Sequence, residues 1–397
     1  MTAVGCEKTM TANTASTPTD AAALPGDTGK ERAARLPALI FAHAPTAGLR
    51  VAALTVLDRL VVAAHRAGAS PITIVSSEPL PALERTVALG IPYAVAAAPP
   101  APAGPVLVAD GGLLTQATDV RALLQQHARL STTAGERLPI GVLPRLETDW
   151  RAALDRQPAL AAQGAAAPVT DLASARAAER MLWASLTSSA DGLVDRFFNR
   201  PCGRPLSKML AHTPISPNAV SLVSTGIGLA AAAGFATGAY PAAVAAALLF
   251  QLSAIVDCVD GDLARVLFKE SPLGKWLDLA GDQVVHVAVF AAIAAGVIRG
   301  GGTPWAAWLG ASAVLGAAFS FAVVLRGMRR PAGEQGERLK KLIDALTNRD
   351  FSVLVLALAC FDRLEWFLWL AAVGSHVFWL AALALQLGAA SRSQPAR

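Results

Sequence analysis

Long apolar runs without charged residues are concentrated in the second half of this 397-residue chain. Runs of about 20 apolar residues are typical of helices that cross a membrane. The pattern predicts six such helices after residue 218, at about 219–237, 241–256, 275–297, 304–325, 351–361 and 366–387. The fifth is short for a full crossing, and an alternative interpretation places it in the membrane interface.

Residues 36–165 show a different pattern, in which short β-rich runs alternate with amphipathic stretches. Strands are predicted for PALIFAHA, PITIVSS and VLVAD, and a weaker strand for LPIGVLP. Residues 48–69 have helical spacing that ends at Gly68. Strands that alternate with helices are typical of parallel βαβ units. The sequence therefore predicts an N-terminal α/β domain followed by a C-terminal all-α bundle of six transmembrane helices.

The segments around these two domains have their own compositions. Residues 1–35 are rich in Thr, Ala, Asp and Pro and have no apolar core of a secretory signal peptide, so we expect a disordered tail. Residues 166–217 predict a linking helix and then an amphipathic segment that lies along the membrane surface. The transmembrane domain is predicted at residues 218–390, and a short second tail at 391–397.

Composition and charge narrow the class of protein. Of all residues 54% are hydrophobic and 16% are charged, whereas soluble domains average about a quarter charged. The four cysteines show neither metal-ligand spacing nor a disulfide framework, and the net charge of +5 indicates no nucleic-acid partner. Basic residues concentrate after the fourth apolar helix. By the positive-inside rule we expect a multi-pass protein of the inner (cytoplasmic) membrane, with the α/β domain and the active site on the cytoplasmic side.

A group of aspartates lies where the second predicted helix ends and the third begins. Asp257 and Asp260 are three residues apart, and Asp278 and Asp282 are four apart on one helix face. Two neighbouring helices then direct carboxylates to one point, where hard oxygen ligands suit two Mg²⁺ or Mn²⁺ ions. Ionisable residues inside apolar helices are functional by default. Asp262 fits neither pair and is predicted to be a solvated turn residue.

Other residues near the aspartates suit a phosphorylated substrate. Gly261 and Gly274 lack side chains where a diphosphate must approach closely, and Arg265 can pair with phosphate oxygens. Three arginines at the end of the fourth predicted helix are a candidate site for an acidic acceptor: Arg326, Arg329 and Arg330. Positive-inside topology and attraction to anionic lipid explain these arginines equally well.

The full pattern is Asp257-x2-Asp260-Gly261-x2-Ala264-Arg265-x8-Gly274-x3-Asp278-x3-Asp282. It resembles the signature of the CDP-alcohol phosphotransferase (phosphatidyltransferase) family in every fixed position, and the similarity extends over about residues 191–390. The resemblance implies a homodimeric six-helix membrane enzyme. Such an enzyme transfers a substituted phosphoryl group from a CDP-alcohol to an acceptor hydroxyl, with release of CMP, in phospholipid or polar-headgroup synthesis.

The same resemblance implies roles for single residues. Asp257, Asp260 and Asp278 would bind the metal ions, and Asp282 would complete the site and act as general base on the acceptor hydroxyl. The nucleotide site would be formed by Pro217, Asn218, Gly261, Ala264, Arg265 and Gly274. The donor would be CDP-diacylglycerol or a soluble CDP-polyol, and the acceptor an inositol phosphate or a related polar headgroup.

The α/β domain is similar to sugar-phosphate nucleotidyltransferases, which precede this membrane module in di-myo-inositol-phosphate-phosphate synthase fusion enzymes. The resemblance implies that Asp110 is the metal ligand of that family, and a role as a turn residue before Gly111 and Gly112 explains it equally well. The first strand, however, continues into AHAPTAGLR, which lacks the glycine-rich phosphate loop and the later lysine. We therefore expect this domain to be inactive and to dock a partner or steady the membrane domain.

Two alternatives follow from the same residues. The first is a bifunctional enzyme whose front domain also makes the CDP-alcohol. The second is a divalent-cation transporter, which would distribute acidic residues through the depth of the membrane. Here the acidic residues are confined to one face, which favours the transferase.

Overall fold

The computed structural model describes residues 36–187, 192–328 and 351–392. In these ranges, all strands lie between residues 38 and 168, and the long apolar helices follow residue 217. This confirms the predicted combination of an N-terminal α/β region and a C-terminal helical region. The predicted tail at 1–35 and residues 393–397 of the second tail lie outside the described residues.

A seven-stranded sheet forms the centre of the α/β region, with strand order β10-β8-β9-β6-β1-β4-β5. The strands are β1 Ala38–Phe41, β4 Ile72–Val75, β5 Ala94–Ala96, β6 Val106–Asp110, β8 Arg129–Ser131, β9 Arg137–Leu143 and β10 Ala159–Ala161. Strand β9 is antiparallel to β6 and β8, whereas the other neighbours pair in parallel. The central strands β1, β4 and β6 are mostly apolar and largely buried, as expected for strands that are covered on both faces.

The described α/β region also contains six helices: α1 Ala44–Ala47, α2 Val56–Ala67, α3 Glu84–Ala88, α4 Ala117–Gln126, α5 Trp150–Asp155 and α6 Leu172–Ser185. Two small antiparallel ribbons pair β2 Arg50–Val51 with β3 Leu54–Thr55, and β7 Leu113–Leu114 with β11 Ala167–Pro168. Helix α6 lies within the segment 166–217, for which a linking helix is predicted. Residues on both sides of the predicted division at 165/166 contribute strands, β10 and β11.

The first long helix of the α/β region begins later than its apolar spacing predicts. Ala52 and Ala53 have φ of 46° and 68°, a left-handed conformation that interrupts a helix. They form the turn between β2 and β3. Helix α2 starts only after Thr55, whose side chain accepts a hydrogen bond from Asp58 N. The prediction of a helix over residues 48–69 is thus wrong for its first eight residues.

The helical region comprises α7 Arg200–Leu210, α8 Pro217–Phe235, α9 Tyr240–Val266, α10 Pro272–Arg299, α11 Ala306–Met328, α12 Phe351–Cys360 and α13 Leu364–Arg392. Among the described residues, α8, α9, α10, α11 and α13 are long and apolar enough to cross a membrane. Helix α12 has 10 residues and would cover about 15 Å, half of a bilayer core of about 30 Å. The described residues therefore fit a multi-pass membrane protein, with five long apolar helices and one short one among them.

Helix α9 extends ten residues beyond its predicted end at residue 256. The apolar run stops there, but the polar residues that follow face neighbouring helices, and both Asp260 and Asp262 are buried. The main chain therefore keeps its helical hydrogen bonds through Val266. Apolarity marks where lipid contact ends, which is not where this helix ends.

One apolar cluster joins the α/β region to the helical region. It contains Val51 of β2 and Trp183 of α6, together with Val220 of α8 and Val259 and Leu263 of α9. All five are less than 6% exposed. The α/β region is therefore packed against the end of α9 that carries the aspartates.

Candidate metal centre and nucleotide site

Three aspartates from two helices meet at one point. Asp257 on α9 and Asp278 and Asp282 on α10 each offer a carboxylate oxygen, and these oxygens all lie within 4.8 Å of one another. The two α10 residues share a face because four residues make slightly more than one helical turn. Two oxygens on one Mg²⁺ or Ca²⁺ ion lie up to about 4–5 Å apart, so this group fits a divalent cation.

Asp260, predicted as a fourth metal ligand, lies outside this group of three. It is 6% exposed, and its Oδ2 accepts a hydrogen bond from Ser221 Oγ on α8. The structure thus places Asp260 one turn after Asp257 but holds its carboxylate against α8.

Two serines on α8 contact the aspartates and were missed by the sequence analysis. Ser224 Oγ lies 3.2 Å from Asp257 Oδ1 and 2.8 Å from the carbonyl oxygen of Ser221. Ser253 on α9 donates to the Ser224 carbonyl oxygen at 2.7 Å, which fixes the two helices together. The sequence feature that could have identified these serines is their three-residue spacing, which puts both hydroxyls on one face of an apolar helix.

Two predicted nucleotide-binding residues, Asn218 and Gly274, are neighbours. A Cβ atom at Gly274 would lie 2.8 Å from Asn218 Oδ1, so glycine allows the first turn of α10 to approach the first turn of α8. Pro217 occupies the first position of α8, where its missing N–H costs nothing, and Ser216 caps the helix. Gly274 lies about one helical turn before Asp278 on α10, and Asn218 lies about one turn before Ser221 on α8.

Arg265 lies over Gly261 at the end of α9. A Cβ atom at Gly261 would lie 3.2 Å from both terminal nitrogens of the guanidinium, so this glycine accommodates the arginine side chain. Arg265 is exposed and donates to Asp262 Oδ1 at 3.0 Å. Ala264, also predicted at the nucleotide site, is half-buried in the same turn.

Asp262 is a buried ion-pair partner, and its prediction as a solvated turn residue is wrong. It is 1% exposed, and its Oδ1 lies 2.7 Å from Arg200 Nη1 on α7 in addition to the contact with Arg265. Charge neutralisation by two guanidinium groups permits this burial. The pair links the amphipathic helix α7 to the turn of α9 that carries Arg265.

The predicted acceptor site is described only in part. Arg326 is exposed near the end of α11, whereas Arg329 and Arg330 lie outside the described residues. That site therefore stays a prediction.

In the α/β region, Asp110 ends β6 beside a cavity of about 410 Å³ that His43 and Thr46 also line. Its Oδ1 accepts from Gly112 N at 2.9 Å, and its Oδ2 is ion-paired with Arg151. The four-residue helix α1 follows β1 almost directly, so the described chain has no glycine-rich loop at this edge of the sheet.

Comparison with known proteins relates the helical region to one family. Residues 215–387 match the family model of CDP-alcohol phosphatidyltransferases. A bifunctional IPC transferase and DIPP synthase of Rubrobacter xylanophilus is 35% identical over 156 residues, which cover 38% of this chain and 34% of that protein. An archaetidylinositol phosphate synthase of Aeropyrum pernix is 34% identical over 88 residues, which cover 22% of this chain and 44% of that protein.

These matches span about a third of the Rubrobacter relative and less than half of the Aeropyrum relative. Among solved structures, the phosphatidylinositol phosphate synthase of Mycobacterium tuberculosis with CDP-DAG bound is 18% identical to this chain. The alignment covers 47% of this chain and 93% of that one, with a TM-score of 0.35.

Proposed function

Residues 215–387 match the family model of CDP-alcohol phosphatidyltransferases, and on that basis we propose that the protein is an integral membrane CDP-alcohol phosphotransferase. It transfers a substituted phosphoryl group from a CDP-alcohol to an acceptor hydroxyl and releases CMP. The observation that carries this proposal is the convergence of Asp257, Asp278 and Asp282 from two helices. Such carboxylates repel one another unless a cation is bound between them.

Mg²⁺ or Mn²⁺ would be held by Asp257, Asp278 and Asp282. Asp260 lies one helical turn after Asp257 on α9. When bound, two divalent ions would neutralise these carboxylates and stabilise the charge on the diphosphate and on the departing CMP. Ser221 and Ser224 orient the carboxylates of Asp260 and Asp257 for this task.

The chain's own groups suit the transfer step. Asp282 accepts the proton of the acceptor hydroxyl, whose oxygen forms a bond to the phosphorus that bears the alcohol group. The bond between that phosphorus and the bridging oxygen breaks, and CMP leaves with both electrons of that bond. Arg265, which is exposed at the end of α9, pairs with the phosphate oxygens. The nucleotide is bordered by Asn218 and Gly274, together with Pro217, Gly261 and Ala264.

An apolar cavity favours a lipid-linked donor over a soluble CDP-polyol. It has a volume of about 440 Å³ and is lined by Leu193, Phe197 and Phe198 beside α7 and by Val353 and Leu356 of α12. An acyl chain is the kind of ligand such a surface binds. The names of the relatives support an inositol phosphate or related polar acceptor.

The remaining parts of the proposal concern location and assembly. The protein is a homodimer in the inner (cytoplasmic) membrane, with the active site on the cytoplasmic side, as the basic residues after α11 support. Arg326, Arg329 and Arg330 hold the phosphate of the acceptor. The α/β region is catalytically inactive, a proposal supported by the Asp110–Arg151 ion pair.

The proposal is tested with the purified full chain in lipid nanodiscs, Mg²⁺ or Mn²⁺, and a panel of CDP-alcohols and acceptors. We expect metal-dependent CMP release that falls by at least about 100-fold in Asp278→Asn. The matched control is Asp362→Asn, an exposed aspartate after α12 that should leave the rate unchanged. Equal rates in wild type and Asp278→Asn would refute the proposal. Pyrophosphate release from CTP and inositol phosphate would instead show a bifunctional enzyme.

A further inference from the structure

The α/β region contacts the loop that joins the two aspartate-bearing helices. This segment, residues 267–271, follows α9 and precedes α10, and we name it the α9–α10 loop. Arg66 of α2 and Arg85 of α3 donate to the carbonyl oxygen of Phe268 in this loop, and Arg59 of α2 donates to that of Val266, the residue just before it. The α/β region, which has no glycine-rich phosphate loop among its described residues, thus contacts the loop that joins the two aspartate-bearing helices.

Arg59 is the centre of this contact. It is 2% exposed, and its guanidinium donates to the carbonyl oxygens of Val51, Ala52 and Val266 at 2.7, 2.7 and 2.8 Å. Val266 is the last residue of α9, where a positive charge complements the helix dipole and satisfies a terminal carbonyl. Burial lowers the pKa of Arg59 to about 10, so the side chain still carries its charge at neutral pH.

Phe268 connects the α9–α10 loop to the α/β region. Its ring packs against the α/β core and lies beneath the guanidinium groups of Arg66 and Arg59, at 4.9 and 5.8 Å. Its carbonyl oxygen accepts from Arg85 and Arg66, and Arg66 also pairs with Glu270. The backbone of Phe268 has φ of 53°, a left-handed conformation that the surrounding contacts maintain.

We infer that the α/β region is a clamp on the α9–α10 loop that sets the spacing of the two aspartate helices, with Arg59 and Phe268 as its positioning residues. Asp257 lies nine residues, about two and a half helical turns, before Val266, and Asp278 lies six residues after Pro272, the first residue of α10, so a shift of either helix end moves the carboxylates with it. The clamp rests on the proposed function for its metal site. It gives the α/β region a role that requires no nucleotidyl transfer.

The test uses the full chain in nanodiscs and the variants Arg59→Met and Phe268→Asn, since asparagine tolerates the left-handed backbone. Mn²⁺ affinity is measured by calorimetry, and amide hydrogen exchange is followed over residues 263–276. We expect Mn²⁺ binding about tenfold weaker and loop exchange about tenfold faster in both variants. The control Arg156→Gln removes an arginine whose exposed ion pair with Glu147 lies within the α/β region, and it should change neither quantity.

If Arg59 and Phe268 only stabilised the α/β region, the two variants would give different exchange and Mn²⁺-binding results. Exchange would then rise in β1 and β6, while Mn²⁺ affinity and the exchange of the α9–α10 loop would match the wild type, and the clamp would be refuted. If Arg59→Met does not fold, Phe268→Asn alone decides between these outcomes. If the wild type releases no CMP or binds no Mn²⁺, the proposed function fails. Amide exchange of the α9–α10 loop in the two variants still tests whether Arg59 and Phe268 hold that loop.

Discussion

Asp262→Asn tests the buried ion pair at the end of α9, because it removes a charge and almost preserves the shape of the side chain. The Arg200 side chain is 12% exposed, whereas that of Arg265 is 40% exposed. The contact with Arg265 is therefore worth at most about 1 kcal/mol. Breaking a buried pair costs about 3–5 kcal/mol, so most of the loss comes from Arg200. We expect the free energy of unfolding to fall by about 3–5 kcal/mol.

The measurement is SDS-driven unfolding in mixed micelles of the wild type, Asp262→Asn, Arg200→Met and the double variant. The double-mutant cycle should give a coupling energy of about 2–3 kcal/mol, because each single variant leaves a buried partner behind. Asp362→Asn is the control, since Asp362 is exposed and its φ of 54° suits asparagine. Additivity of the two single variants within about 0.5 kcal/mol would refute the ion-pair account.

Three further predictions follow from the site. Ser221→Ala removes the hydroxyl that donates to Asp260 and should weaken Mn²⁺ binding about tenfold, as measured by calorimetry. Unchanged Mn²⁺ affinity would refute a role for that contact. Asp282→Asn should lower kcat for CMP release by about 100- to 10,000-fold with little change in the KM of the donor, and equal turnover would exclude it as the base. Gly274→Ala should raise the KM of the CDP-alcohol in initial-rate assays because its Cβ displaces Asn218, and an unchanged KM would contradict their contact.

The sequence predicted those features that depend on local spacing. The four-residue spacing of Asp278 and Asp282 places both on one helix face whatever surrounds them, and the structure brings them to Asp257. Apolar runs likewise located α8, α9, α10, α11 and α13, because lipid contact requires long apolar helices. The predicted division of the chain into an α/β region and a helical region has the same origin.

Features that depend on distant partners were not predictable in this way. The burial of Asp262 requires Arg200, which is 62 residues away in the sequence. The left-handed turn at Ala52 and Ala53 interrupts a helical pattern without any glycine or proline to signal it. Serine hydroxyls in an apolar helix give no indication of their acceptors, so Ser221 was missed until its contact with Asp260 was visible.

The most direct test of the metal centre is an anomalous difference map from crystals of the full chain soaked with Mn²⁺. The account predicts manganese peaks bordered by the carboxylates of Asp257, Asp278 and Asp282, and their loss in crystals of Asp278→Asn. Side chains that point away from one another, with no manganese between them, would contradict it.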